Sequence, residues 1–276
     1  MTTCCFCHCI RDVKARPLDP KDIYQQYEIA SYETCCSAKG YFYAKSVAPN
    51  GFPPLNLRRK GWKIYGRTPK NYKLGEAQGL NAILRTRLPE FNFPLSCKSS
   101  EGIVVGKWYC PFIFIKDGIL KDQIKRSMYY EMTLEQRWEQ IFSCENNFSV
   151  RNSVLVDVSV QTEVVSVADI EAVWNEREVL DGAIWFRSFG NVGRVSVGLR
   201  EEIVERMKWE QQRADWLNGE NRQARVKRVE DFGGVGEWRK FGCYVLVERF
   251  VLKRMDGSLM MTYDFKHTHQ IKSKWE

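Results

Sequence analysis

A cluster of cysteines near the start of the sequence is the first set of residues with the chemistry of a binding site. Four thiols and one imidazole fall within six residues, at Cys4, Cys5, Cys7, His8 and Cys9. Thiolate sulfur and imidazole nitrogen are ligands that Zn²⁺ prefers, so the cluster is a candidate metal site. Ligands this close together converge poorly on one ion, and a tetrahedral site usually draws on two separated pairs. Cys35 and Cys36 would supply the second pair.

The same cysteines fit two other hypotheses. Exposed terminal cysteines can be S-acylated, and the basic residues that follow them, Arg11, Lys14 and Arg16, would favour an anionic membrane surface. The protein would then be tethered to a membrane surface through one of the four N-terminal cysteines. The interpretation that we favour is simpler and has these thiols inert or buried on a strand.

Two histidines near the end of the sequence form the second candidate metal site. His267 and His269 are two residues apart, so on a strand their imidazoles point to the same face, a spacing that some metal sites use. Asp264 or Glu276 would contribute an oxygen ligand, but three convincing ligands are not evident in this stretch. The interpretation that we favour is a solvated strand face. Three lysines would share it: Lys266, Lys272 and Lys274.

Other patterns that carry chemistry are weak. Residues 225–228 are basic, but the net charge of +8 is modest and acidic residues are interspersed, which favours a solvated face over a specific nucleic-acid site. Residues 233–236 are rich in glycine, yet they lead into a strand and lack the context of a nucleotide-binding turn. The sequence contains no nucleophile elbow and no P-loop motif. We therefore predict no catalytic residues and no cofactor.

Composition places the chain among ordinary globular proteins. Of its 276 residues, 44% are hydrophobic and 28% are charged, which excludes a wholly disordered chain, a collagen and a coiled coil. The longest nearly apolar run, residues 109–115, is far short of the roughly 20 residues that span a bilayer, so we predict no transmembrane segment. No secretory signal opens the sequence, and the clustered cysteines do not resemble a disulfide framework. We expect a cytoplasmic protein with reduced thiols, and the nucleus is the alternative location.

The elements that would position these residues change character along the chain. Residues 1–100 are rich in proline and glycine, with short aromatic strands expected at 41–44 and 62–65. A strand pair is expected at 103–116. From 120 to 142, a capping-box pattern and apolar residues at helical spacing predict a principal helix. The pattern rests on Thr133, Leu134, Gln136, Trp138, Ile141 and Phe142.

The second half of the chain alternates between strands and one further helix. Residues 154–167 alternate, with valines at every second position from 154 to 160, and predict a half-buried strand. An apolar stripe that includes Gln211, followed by a glycine, predicts the second principal helix at 200–217. Residues 243–265 predict a hairpin that turns at the Asp-Gly pair 256–257.

The polar, turn-rich stretch at residues 143–153 is the expected domain seam. We predict a strand- and loop-rich N-terminal region at 1–148 that ends in a helix, and a C-terminal α+β region at 149–276. The two regions could also form one continuous domain. The predicted fold class is α+β, in which a mainly antiparallel sheet carries the two principal helices.

A long run at the end of the sequence resembles a known family. Residues 243–275, which begin Cys-Tyr-Val-Leu-Val-Glu-Arg-Phe, are similar to the C-terminus of a plant family catalogued as domain of unknown function 1262. Further similar stretches occur at 3–6, 105–112, 130–138 and 205–210. The resemblance implies a plant source and an intracellular protein, and it implies no activity. Family members carry additional residues before the Cys-Cys-Phe stretch, so the resemblance also implies a shortened gene product with an unpaired sheet edge.

The leading functional hypothesis is a non-enzymatic protein-interaction or adaptor module with an unknown protein partner. It rests on a full core, strong hairpins and the missing catalytic set. Two alternatives stay open. One is a metal-dependent or histidine-based enzyme that uses His267 and His269. The other is a membrane-surface protein tethered by S-acylation of the N-terminal cysteines.

Overall fold

Runs of β-branched and aromatic residues fold into antiparallel sheets in the computed structural model. The structure describes residues 22–24, 26–31, 41–49, 63–67, 76–146, 152–190 and 193–276. Strands make up more than half of these residues, and the α-helices among them are short.

The strands and helices are numbered separately along the chain. The strands are β1 (Tyr27–Ser31), β2 (Tyr41–Ser46), β3 (Lys63–Arg67), β4 (Gly79–Leu80), β5 (Ile103–Pro111), β6 (Ile115–Lys116), β7 (Tyr129–Glu145), β8 (Ser153–Gln161), β9 (Glu163–Val167), β10 (Ile170–Glu171), β11 (Val179–Leu180), β12 (Ala183–Gly190), β13 (Gly193–Arg200), β14 (Gln223–Asp231), β15 (Lys240–Arg254) and β16 (Leu259–Trp275). The α-helices are α1 (Ala82–Arg87), α2 (Leu120–Arg126) and α3 (Glu201–Gln212).

The largest sheet has seven strands in the order β10-β9-β16-β15-β7-β5-β4, and each strand is antiparallel to its neighbours. A smaller sheet has the order β11-β12-β13-β6, and β1, β2 and β3 form a third. Strands β8 and β14 pair as a two-stranded ribbon, whose valines pack on Trp238 and Phe241 at one end of the large sheet. The large sheet therefore takes its strands from both halves of the chain.

The centre of the molecule is β15, which pairs with β7 on one side and β16 on the other. Every side chain from Phe241 to Glu248 is buried. The β15–β16 hairpin turns at Asp256 and Gly257, as the sequence predicts. Gly257 has a φ of 83°, which a glycine adopts at little cost.

The predicted helix over 120–142 is wrong beyond Arg126, because the chain turns there into the 17-residue strand β7. The residues of the supposed capping box, Thr133 and Gln136, lie on that strand. Side chains at every second position are buried, with Tyr130, Leu134 and Trp138 at 0% exposure. This period of two belongs to a strand. Pairing with β15 and β5 on either side outweighs the weaker helical pattern.

The α+β fold class with two principal helices is therefore also wrong. The molecule is a β-rich protein whose α-helices, in the described ranges, are three short segments. The helix expected at 200–217 is present but stops at Gln212, as α3. The strand predicted at 154–167 is present as two strands in different sheets, β8 and β9, and Val154, Val156 and Val160 on β8 are buried. Of the helices seen in the described residues, none is both long and apolar enough to cross a bilayer.

Candidate functional site

The structure brings His267 into a buried polar cluster and leaves His269 outside it. Both lie on β16, where His267 is 1% exposed and His269 is exposed. Three residues between His267 and Ile271 have no partner in β15, so the strand is irregular at His269. The two imidazole rings still lie edge to face, with centroids 5.5 Å apart. The other predicted metal ligands lie outside the described residues: Cys4, Cys5, Cys7 and Cys9.

The imidazole of His267 is uncharged at neutral pH. Its Nε2 lies 2.9 Å from Gln211 Oε1 and 3.9 Å from Glu248 Oε2. Burial lowers the pKa of His267 to about 4, although the carboxylate of Glu248 acts in the opposite direction. A general base works best when its pKa is near the operating pH, so this imidazole is a weak base. Across the described ranges, no group of three or more His, Cys, Asp or Glu side chains is placed to hold a metal ion.

Glu248 is a buried carboxylate held by three donor groups. Arg85 donates from Nε to Oε1 at 2.8 Å and from Nη2 to Oε2 at 2.5 Å, and Gln136 Nε2 donates to Oε1 at 2.8 Å. Burial by itself would raise the pKa of Glu248, but Arg85 and Gln136 lower it overall. The carboxylate therefore stays ionised. Hydrogen bonds this complete are what a buried ion pair requires, since each ion has lost its water.

Three elements bring these groups together. Glu248 lies on β15, and Gln136 lies directly opposite it on β7. Arg85 comes from α1, whose N-cap residue Asn81 accepts a hydrogen bond from the Leu84 amide at 2.9 Å. Gln136 Nε2 also donates to the backbone carbonyl of Arg85 at 3.1 Å, which ties the short helix to the sheet.

Glu210 of α3 lies beside this ion pair and uses only part of its hydrogen-bonding capacity. Its side chain is 7% exposed. Arg206 Nη2 donates to Oε1 at 2.6 Å, while Oε2 lies 3.8 Å from Arg85 Nη1, beyond hydrogen-bonding distance. Within the described part of the chain, three buried atoms of this cluster have no hydrogen-bond partner: Glu210 Oε2, Arg206 Nη1 and Gln211 Nε2.

A polar pocket of about 440 Å³ opens beside these residues. It lies between α1, the end of α3 and the strands β15 and β16. Its ionisable and amide lining residues are Arg85, Gln136, Glu210, Arg213, Asp215, Glu248, His267 and Gln270. Two arginines face three carboxylates and the imidazole is neutral, so the lining carries one more negative than positive charge. Such a pocket can exchange hydrogen bonds with a polar group.

An apolar pocket of about 330 Å³ also has Glu210 in its wall. The rest of its lining is mostly aromatic, aliphatic and thioether: Trp108, Phe114, Met132, Ile203, Met207 and Phe250. Trp108 lies over Gly106, where a Cβ atom would overlap the indole. The burial of Cys110 in this wall raises the pKa of its thiol to about 12, so the thiol stays protonated and unreactive.

Sequence reasoning missed most of this site, although two signals were present. Glu248 interrupts a nearly apolar strand, and a charged residue in such a position is buried only with a partner. Gln211 lies on the apolar stripe of α3, where a polar side chain must also find a partner. Nothing in the irregular first hundred residues pointed to Arg85 as that partner of Glu248.

Comparisons with known proteins add a likeness to distant solved structures. The crystal structure of Cry35Ab1 matches with a TM-score of 0.40 and 11% sequence identity, over 91% of this chain and 68% of that one. No protein-family model matches the chain, and no curated protein matches it. The resemblance to the plant family of domain of unknown function 1262 stays a prediction.

Proposed function

We propose that this protein is a non-enzymatic binding protein that holds a small, mainly apolar molecule in the apolar pocket. One observation carries the proposal: a cavity of about 330 Å³ is walled mostly by aromatic, aliphatic and methionine side chains and has a few polar groups at its edge. Small-molecule sites in proteins have this composition and start at about this size.

The wall of the apolar pocket suits a ligand of that kind. Trp108 and Phe250 are flat apolar surfaces with ring centroids 6.3 Å apart, and both belong to the main core or pack against it. Met132 and Met207 are flexible and polarisable, so they can adapt to the shape of a bound molecule. A wall that is part of the core is largely pre-formed, and less ordering entropy is lost on binding.

A histidine-based enzyme has less support from the geometry. His267 is deeply buried, weakly basic and already engaged with Gln211. His269 is exposed and lies outside the network of Glu248 and Arg85. The proposal therefore keeps the non-enzymatic class expected from the sequence, but names a small molecule as the partner in place of a protein. The proposal also includes a cytoplasmic location in a plant cell.

The proposal is tested with an uncharged fluorescent probe. N-phenyl-1-naphthylamine becomes bright in apolar surroundings, and we expect it to bind the full chain saturably with one probe per protein. Ile203→Trp places an indole in the pocket from α3, so this variant should bind the probe at least about tenfold more weakly. The matched control is Ile119→Trp, because Ile119 is 72% exposed and does not line the pocket.

Two results would contradict the proposed function. One is probe fluorescence that rises without saturation in the wild-type protein. The other is saturable binding with the same affinity in Ile203→Trp and in Ile119→Trp, because the probe would then bind outside the apolar pocket. Far-ultraviolet circular dichroism of both variants checks that the fold is retained.

A further inference from the structure

The polar edge of the apolar pocket is formed by an ion pair that makes only one of its two available contacts. An arginine and a carboxylate commonly pair through two parallel hydrogen bonds. Arg206 and Glu210 make a single one, from Nη2 to Oε1 at 2.6 Å. The remaining donor, Arg206 Nη1, and the remaining acceptor, Glu210 Oε2, are both buried and have no hydrogen-bond partner among the described residues.

These two atoms belong to side chains that line the apolar pocket. Arg206 and Glu210 both line the apolar pocket, and Glu210 is more than nine-tenths buried. Arg206 is further held by Trp209, whose ring centroid lies 4.0 Å from the guanidinium carbon. A buried donor and a buried acceptor therefore lie unpaired on two side chains of the same pocket wall, and leaving them unpaired costs free energy.

The charges around this edge discriminate between ligand head groups. A carboxylate would accept from Arg206 Nη1 but would be repelled by the carboxylate of Glu210. An ammonium group would donate to Glu210 Oε2 but would be repelled by Arg206 and by Arg85, whose Nη1 lies 3.8 Å from that oxygen. A hydroxyl group both donates and accepts, so it satisfies both atoms without a repulsive contact.

We infer that the molecule held in the apolar pocket is an alcohol, with an apolar body against Trp108 and Met207 and a single uncharged hydroxyl bound between Glu210 and Arg206. The hydroxyl donates to Glu210 Oε2 and accepts from Arg206 Nη1. This inference rests on the proposed function, because it describes the ligand of the same pocket.

The experiment compares three compounds that share one alkyl chain and differ in head group. 1-Octanol, octanoate and octylammonium are titrated at pH 7 against the full chain loaded with N-phenyl-1-naphthylamine, and displacement of the probe gives each affinity. We expect 1-octanol to bind about tenfold more tightly than either ion, since it gains a hydrogen bond to a charged group and avoids a like charge.

A variant separates recognition of the head group from a structural role. Glu210→Gln removes the negative charge, so octanoate should bind more tightly to this variant than to wild type. 1-Octanol and octanoate should then bind to the variant with about equal affinity. Glu205→Gln makes the same change at an exposed position of the same helix and should leave the preference unchanged. If Glu210→Gln fails to fold, the head-group series on the wild-type protein still decides.

The outcomes distinguish this inference from the proposed function. Equal displacement by all three compounds, or tighter binding of either ion, overturns the alcohol and leaves the apolar pocket as a binding site. Saturable probe binding that none of the three compounds reverses also overturns the alcohol. Failure of the probe itself to bind saturably overturns the proposed function, and the inference falls with it.

Discussion

Two neighbouring side chains in the buried cluster differ in charge: one is neutral and the other is ionised. His267 and Glu248 lie 3.9 Å apart, yet the imidazole is neutral and the carboxylate is ionised. Burial acts against the charged form of both groups, lowering the pKa of the imidazole and raising that of the carboxylate. Glu248 stays ionised despite its burial because Arg85 and Gln136 donate hydrogen bonds to it directly. His267 contacts the side chain of Gln211, and the nearby charges of Arg85 and Glu248 shift its pKa in opposite directions. The charge of each residue therefore depends on its hydrogen-bond partners as well as on how deeply it is buried.

The neutral imidazole predicts a dependence of stability on pH. The pKa of His267 is about 4 in the folded protein and 6.5 as the ordinary value, so the unfolded chain binds more protons between these values. The stability contributed by the neutral form is complete above the ordinary value and is lost as the pH falls toward 4. Between pH 7 and pH 5, we expect the free energy of unfolding to fall by about 2 kcal/mol more in wild type than in His267→Gln.

Urea denaturation at the two pH values measures this difference. The exposed neighbour gives the control, since burial is the largest cause of the lowered pKa of His267 and His269→Gln should keep most of the wild-type pH dependence. Glu248 does not interfere in this window, because its pKa is already lowered below 4.5 in the folded state. The same loss of stability in wild type and in His267→Gln would show that another group carries the titration.

The sequence predicts strand β8 clearly and strand β7 poorly. On β8 the buried positions are all valine and the exposed positions are mostly polar, so a period of two is plain in the sequence. On β7 the buried positions include Thr133 and Gln136, and its two neighbours cover much of the remaining surface. Gln136 is buried because it donates a hydrogen bond to Glu248, which lies far away in sequence. A buried polar residue on a core face therefore hid the strand pattern.

The hairpin of β15 and β16 was predictable because its turn is local. The Asp-Gly pair supplies the conformation that the turn needs, and Gly257 has a φ of 83° with open space around its Cα. An L-residue at this φ is strained by its own Cβ. We expect Gly257→Ala to lower the free energy of unfolding by about 1 kcal/mol, as measured by urea denaturation.

A matched glycine controls for the loss of flexibility in the unfolded chain. Gly233 also has open space around it, but its φ lies outside the left-handed region. Gly233→Ala should therefore leave stability unchanged or raise it slightly, because alanine restricts the unfolded chain more than glycine does. Equal effects of the two substitutions would contradict the strained turn at Gly257.

The two pockets are properties of the whole molecule. Arg85 and Glu248 form one ion pair across 163 positions, and Gln136 and Glu248 hydrogen-bond across 112. The apolar pocket draws its wall from β1, β5, β7, α3 and β15. Propensity and periodicity act over a few residues, so they can locate a strand or a turn but not which distant side chains will meet. The sequence identified His267 as a residue of interest, and only the fold supplies Arg85, Glu210 and Glu248.

The central claim is that the apolar pocket holds a small apolar molecule. The most direct test follows the methionine methyl resonances of the full chain by nuclear magnetic resonance while N-phenyl-1-naphthylamine is added. Met132 and Met207 line the pocket, so the aromatic probe should shift both of their resonances saturably and to the same midpoint. Met260, which is buried but does not line it, should stay in place. Shifts at Met260 as large as those at Met132 and Met207, or unmoved resonances for that pair, would contradict the claim.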